Sequence, residues 1–195
     1  MTISDVLVPM LLERFNGRGL RLGEPPDPIA VFPAAHPLVG EVRVSDRGTS
    51  ADVGVGDIAY DSFFNPYDQE RGTTEAVEGI ARDVIRFLDE LFADRLLMWR
   101  SVDGRTRGWR ERGEARHSAP LVIDDREYQL FVWSQPLGVW RATPVVLARG
   151  SIQDDREYEI VVQRVNNEGP DRLQGSELDA LRRIVEEYER KRTSK

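Results

Sequence analysis

The chain has 195 residues, a formal net charge of −7 and no cysteine, and it is long enough to bury a full core without covalent staples. The lack of cysteine excludes a disulfide framework, a thiolate nucleophile and Cys-based zinc or iron–sulfur sites. No run approaches the ~18 apolar residues of a membrane span. Asp5, Pro9 and Glu13 interrupt the N-terminal apolar run where a secretory leader would be basic and then continuous. The expectation is one α+β domain over residues 1–195, in the cytoplasm.

In chain order, Ile3, Val6, Leu7, Met10, Leu11 and Phe15 recur at helical spacing and predict a helix over about 4–15, stopped by Asn16-Gly17. Pro9 inside it removes a backbone donor, so the helix should kink there or start late. Past a loop near 23–28, β-type runs follow at Ile29–Phe32, Glu41–Ser45 and Ala51–Tyr60. This stretch concentrates Asp46, Asp52, Asp57 and Asp61, with Asp68 beyond it. On one regular strand, positions 57 and 61 share a face with their carboxylates about 13 Å apart, unless a bend at Gly54 or Gly56 brings them closer. Asp57 and Asp61 are therefore candidate acid–base or hard-cation residues. The plainer reading is solvent-facing carboxylates at the ends of a hairpin.

Phe63, Phe64 and Tyr67, with Phe131, Trp133 and Trp140 further on, read as core packing, although an exposed subset could form an interface, and residues 65–73 read as a loop. Val77, Ile80, Ala81, Val84, Leu88 and Leu91 form one apolar stripe of a helix over about 74–93, with Thr73 or Thr74 able to cap it. Leu96–Val102 and Arg105–Glu111 read as a hairpin turning at Asp103-Gly104. Six arginines fall between Arg100 and Arg116, interleaved with Trp99 and Trp109. Guanidinium forks and indole faces on a hairpin can hold a phosphate, a carboxylate or a stacked base. Trp99, Arg100, Arg107, Trp109 and Arg110 are accordingly the candidate ligand-binding residues. Equally, they can be ion-pair and cation–π dressing of an edge hairpin.

After a loop near 113–120, Leu121–Ile123, Tyr128–Ser134, Val139–Arg149 and Tyr158–Val165 read as strands, with Gln135–Gly138 as a turn. Asp124–Tyr128 recurs as Asp154–Tyr158, and both copies of this DDREY sequence read as hairpin tips. A loop near 165–175 precedes a final helix over about 177–191, with Ser176 and Asp179 as a capping pair and Leu178, Leu181, Val185 and Tyr188 as its stripe. The last few residues should fray. The expected fold is thus a mainly antiparallel twisted sheet of about 7–9 short strands with three helices packed against it.

No phosphate-binding P-loop, dinucleotide fingerprint, serine-hydrolase elbow or calcium loop is present. Pro170-Asp171 with Glu189-Arg190-Lys191 matches a loose metal-nuclease pattern, but the acid-x-Lys part falls on a predicted helix rather than on a strand beside the first Asp. The two histidines, His36 and His117, stand far apart, and His117 is kept as a candidate general base. Nothing in the sequence calls for a metal or a cofactor.

Residues 1–100 hold 10 Arg against 17 acidic side chains, whereas residues 101–195 balance at 17 each. That asymmetry suits a basic protein partner and speaks against nucleic acid as a general ligand. The expected function is a small non-catalytic binding or accessory protein that engages another macromolecule through its sheet or acidic front half. Two alternatives stay open. One is an enzyme on a small anionic substrate, clamped by Arg100, Arg107 or Arg110 and served by Asp57, Asp61 or His117. The other is nucleic-acid contact through the Arg/Trp hairpin.

Overall fold

The architecture comes from a computed structural model that describes residues 1–64, 73–112, 125–167 and 173–193. The chain divides into two compact units, Met1–Pro120 with Gln129–Gly138, and Leu121–Tyr128 with Val139–Lys195.

The first unit opens with helix α1 (Ile3–Phe15) and a short 3-10 turn at Asn16–Arg18. Thr2 and Asp5 cap α1 reciprocally, and Asp46 accepts hydrogen bonds from Ser4 N and Oγ at 2.9 and 2.6 Å. These caps fix the helix start ahead of Pro9. The helix runs through the proline because that position is exposed, so the orphaned Asp5 carbonyl can be hydrated.

Five strands follow: β1 (Arg21–Leu22), β2 (Ala30–Phe32), β3 (Val42–Asp46), β4 (Ser50–Val55) and β5 (Ala59–Phe64). They form an antiparallel meander in chain order. The run read as a single strand over 51–60 is two strands, because the chain turns at Gly56–Ile58 with Gly56 at φ +50°. A side chain at Gly56 would also meet the Val39 carbonyl at 2.3 Å. Glycine at that corner is therefore required twice over.

Helix α2 (Thr74–Phe92) is capped by Thr73, whose hydroxyl accepts from Ala76 N at 3.2 Å. Its apolar stripe packs with α1 against the inner face of the meander, where Val42, Val44, Ala51, Val53 and Val55 are buried. Phe15, Phe32 and Phe92 meet edge to face with centroids 5.0 to 5.7 Å apart. Such contacts add to the area term that drives the core.

A second antiparallel sheet has the order β7-β6-β8-β9, from β6 (Leu96–Ser101), β7 (Arg107–Glu111), β8 (Tyr128–Val132) and β9 (Gln135–Trp140). Asp103-Gly104 is the turn between β6 and β7, with Gly104 at φ +71°. Gln135–Gly138, expected as a turn, lies within β9. The chain reverses instead at Trp133-Ser134, where Asp94 accepts from Ser134 N and Oγ at 2.9 and 2.6 Å.

The second unit is where the sequence reading departs most from the structure. Val139–Arg149 is not a strand: β9 ends at Trp140 and helix α3 spans Ala142–Arg149. Pro144 falls in its first turn, where no backbone donor is needed. Tyr158–Val165 is likewise helical, within α4 (Asp155–Val165). The second DDREY copy is therefore a helix start. Asp154 is the N-cap and accepts from Glu157 N at 2.8 Å, while acidic residues fill the first turn. In the first copy Asp125–Glu127 lead into β8 at Tyr128, so the repeated residues serve two structures. The last helix, α5 (Gly175–Thr193), extends the expected span by two residues at each end. α3, α4 and α5 close on Val146, Ile152, Val161 and Leu181.

The class is α+β with antiparallel sheets, as expected, built from nine strands and five helices among the described residues. No helix among the described residues is long and apolar enough to cross a membrane. Leu121–Ile123, Tyr67, Asp68, Arg116, His117 and Pro170-Asp171 lie outside the described residues.

Candidate functional site

The antiparallel register of β4 and β5 sets Asp52 opposite Ser62 and Gly54 opposite Tyr60. Tyr60, Ser62 and Phe64 alternate onto the face of the meander turned away from α1 and α2, and Asp52 shares that face. Asp52 is buried, with Arg47 Nε at 2.8 Å on one oxygen and Ser62 Oγ at 2.8 Å on the other. The Tyr60 phenol lies beside it and acts on its charge. Burial opposes the charge on Asp52, but the hydrogen bonds from Arg47, Tyr60 and Ser62 and the Arg47 charge outweigh it, so the carboxyl sits below its ordinary value. The same hydrogen bond to Asp52, followed by burial, raises the Tyr60 phenol, and the Arg107 guanidinium opposes that rise. Tyr60 is 49% exposed and Phe64 61% exposed.

Asp61 points the other way, to the core face. Burial raises its carboxyl above the ordinary range, against hydrogen bonds from Ser62 N at 2.9 Å and from the Trp109 indole. Trp109 packs edge to face on Phe87 of α2 at 4.8 Å. Asp57 is in the β4–β5 turn rather than on a strand with Asp61. Both of its oxygens lie 2.6 Å from Arg100 Nη1. Arg100 also donates from Nε to Gln129 Oε1 at 2.9 Å and lies 5.6 Å from the Phe131 ring centre.

Of the hairpin residues, Trp99 is buried and leaves no room for a side chain at Gly108, where a Cβ would stand 2.7 Å from its ring. Arg107 is exposed beside the meander's open face, and Arg110 is half-buried. His36 closes a tight turn, its Nδ1 accepting from Leu38 N at 3.1 Å. Among the described residues, no group of three acidic or histidine side chains is arranged to hold a metal.

The second unit contains a cavity of about 740 Å³ that sequence reasoning missed. Arg126, Arg141 and Arg164 line it together with Asp125, Gln163 and Asn167. Asp125 anchors this wall. Its Oδ1 accepts from Thr143 N at 2.7 Å, capping α3 in place of Arg141, whose side chain makes no cap. Its Oδ2 faces Arg141 Nε at 3.1 Å and Arg164 Nε at 3.6 Å. Ile160, Gln163, Arg164 and Asn167 follow helical spacing along α4 and its end. That stripe was the available signal, hidden because the segment read as a strand.

No protein-family model, no curated protein and no solved structure matches this chain.

Proposed function

We propose that this is a non-catalytic accessory protein that binds another protein through the outer face of β3–β4–β5, with Tyr60 and Phe64 as its anchors. One observation carries the reading: two large aromatic side chains, Tyr60 and Phe64, stand exposed on one face of an edge strand, with Tyr60 beside the buried Asp52. Aromatic anchors with few rotamers are what dominate interface energies. Of the neighbouring charges, Arg47 is paired with Asp52 and Arg43 with Glu41. Contact area therefore comes from the anchors, whereas the net −7 of residues 1–100 supplies a long-range field that suits a basic partner. The carboxylates offered for acid–base work are otherwise engaged. Asp57 is closed on Arg100, and Asp61 faces Trp109 and the core.

The test places a photo-crosslinking residue at position 64 of the full chain, with a control at exposed Glu78 on α2. The protein captured at 64 is then purified and titrated against wild type and the Tyr60→Ala/Phe64→Ala variant, at low salt and at about 0.5 M salt. The expected result is capture at 64 alone, at least about tenfold weaker binding by the variant, and slower association at high salt. Equal capture at both positions, or a variant that binds like wild type, defeats the reading.

A further inference from the structure

The cavity of the second unit supports a conclusion independent of the sheet face. A guanidinium carries five donors, and a buried one is costly unless they are met. Arg164 has only 15% of its side chain exposed, its Nε is buried without a hydrogen bond, and its nearest carboxylate oxygen is 3.6 Å away. Arg141 spends its Nε on the carbonyl and carboxylate of Asp125. Among the described residues, Asp125 is the one partner of both arginines, and it engages each through Nε. Their terminal nitrogens are thus left for a further acceptor. Asp125 is itself fixed by capping α3, so the two forks are positioned before any ligand arrives.

We propose that this cavity binds the phosphate of a small phosphomonoester, gripped by Arg141 and Arg164 with Arg126 at the rim. Charge favours that group. Among the described residues of the lining three arginines stand against one aspartate, and the forks of Arg141 and Arg164 can share the three oxygens of a phosphate dianion, where a monocarboxylate offers two. Size favours an organic ester over the bare ion. About 740 Å³ lies in the range of small-molecule sites, roughly 300–1,000 Å³. The amide of Gln163 can pair with a ligand hydroxyl, and Ile160 gives the wall an apolar element.

The test is calorimetric titration of the full chain at constant ionic strength with ribose 5-phosphate, inorganic phosphate, ribose and succinate. Saturable binding of ribose 5-phosphate or inorganic phosphate, with ribose and succinate silent, is the expected result. Arg164→Gln should weaken that binding by about tenfold or more, since a hydrogen bond to a charged group is lost. Arg126→Gln, at an exposed position, should weaken it less and provides a second variant. The proposal is overturned if neither phosphate probe saturates, if succinate binds as well as the phosphates, or if Arg126→Gln and every folded Arg164 variant bind like wild type. None of these outcomes bears on Tyr60 and Phe64, so the two readings fail separately.

Discussion

Arg100 and Asp57 meet across 43 residues of sequence, with one guanidinium nitrogen 2.6 Å from both carboxylate oxygens. The pair is lopsided: 74% of the Asp57 side chain is exposed, against 26% of Arg100. Arg100 has two further partners in Gln129 and Phe131, whereas Asp57 has Arg100. The acidic stretch and the arginine hairpin do come together, but at this point they neutralise each other.

Asp57→Asn is therefore expected to cost less than about 1 kcal/mol, because an exposed carboxylate gains little from pairing in water. Arg100→Ala should cost about 1–2 kcal/mol, through the lost hydrogen bond to Gln129 and the lost ring contact. Urea unfolding of the two single variants and the double variant measures both. A coupling energy well above 1 kcal/mol would show that the pair is more than surface dressing.

Phe63 and Phe64 are neighbours in sequence and opposites in environment. The Phe63 ring meets Phe87 of α2 at 5.4 Å, while Phe64 is 61% exposed on the other face of β5. Phe63→Ala should destabilise the protein by about 3 kcal/mol, and Phe64→Ala by no more than about 0.5 kcal/mol. Thermal unfolding of the two variants checks the strand register directly, because a one-residue slip would exchange the two values.

The elements legible in the sequence were those whose signal is local. The stripes of α1, α2 and α5 repeat at helical spacing, and Asp103-Gly104 carries its own turn chemistry. α3 and α4 read as strands because Val145, Val146, Val161, Val162 and Val165 favour them, while the opposing local evidence is the Asp154 cap of α4, and α3 has no cap of its own. The candidate sites were less legible for a different reason. Asp52 acquires its meaning from Ser62 across a strand pair, and Asp125 from Arg164 far along the chain. Neither pairing leaves a periodic trace.

The cap on α4 gives a direct check. Asp154→Ala removes the acceptor for Glu157 N and should cost about 1 kcal/mol. Asp154→Asn, which keeps a side-chain oxygen, should recover most of that loss. Chemical denaturation distinguishes the two. If alanine were as stable as asparagine here, the segment would not depend on a helix cap.

Asp52 and Asp61 give the sharpest prediction, because they shift in opposite directions. Asp52 titrates below 3.8 in the folded state. Its stabilising contribution is complete above the unfolded value and fades as the pH falls from 3.8 through the lower folded value. Asp61 titrates above 3.8 when folded, since burial disfavours its charge. The folded state then holds that proton more tightly, so stability falls as the pH rises from 3.8 through the higher folded value. Asp52→Asn should consequently destabilise the protein at pH 7, by about 1–3 kcal/mol for a broken buried hydrogen-bonded pair, with the gap narrowing in acid. Asp61→Asn should stabilise it at pH 7, retaining an acceptor for Ser62 N and a partner for Trp109, and should match wild type below pH 3.8. Unfolding free energies of the three proteins across pH 3 to 8 read both slopes at once. Destabilisation at pH 7 by the Asp61 variant would mean that its hydrogen bonds to Ser62 and Trp109, rather than its burial, set the balance.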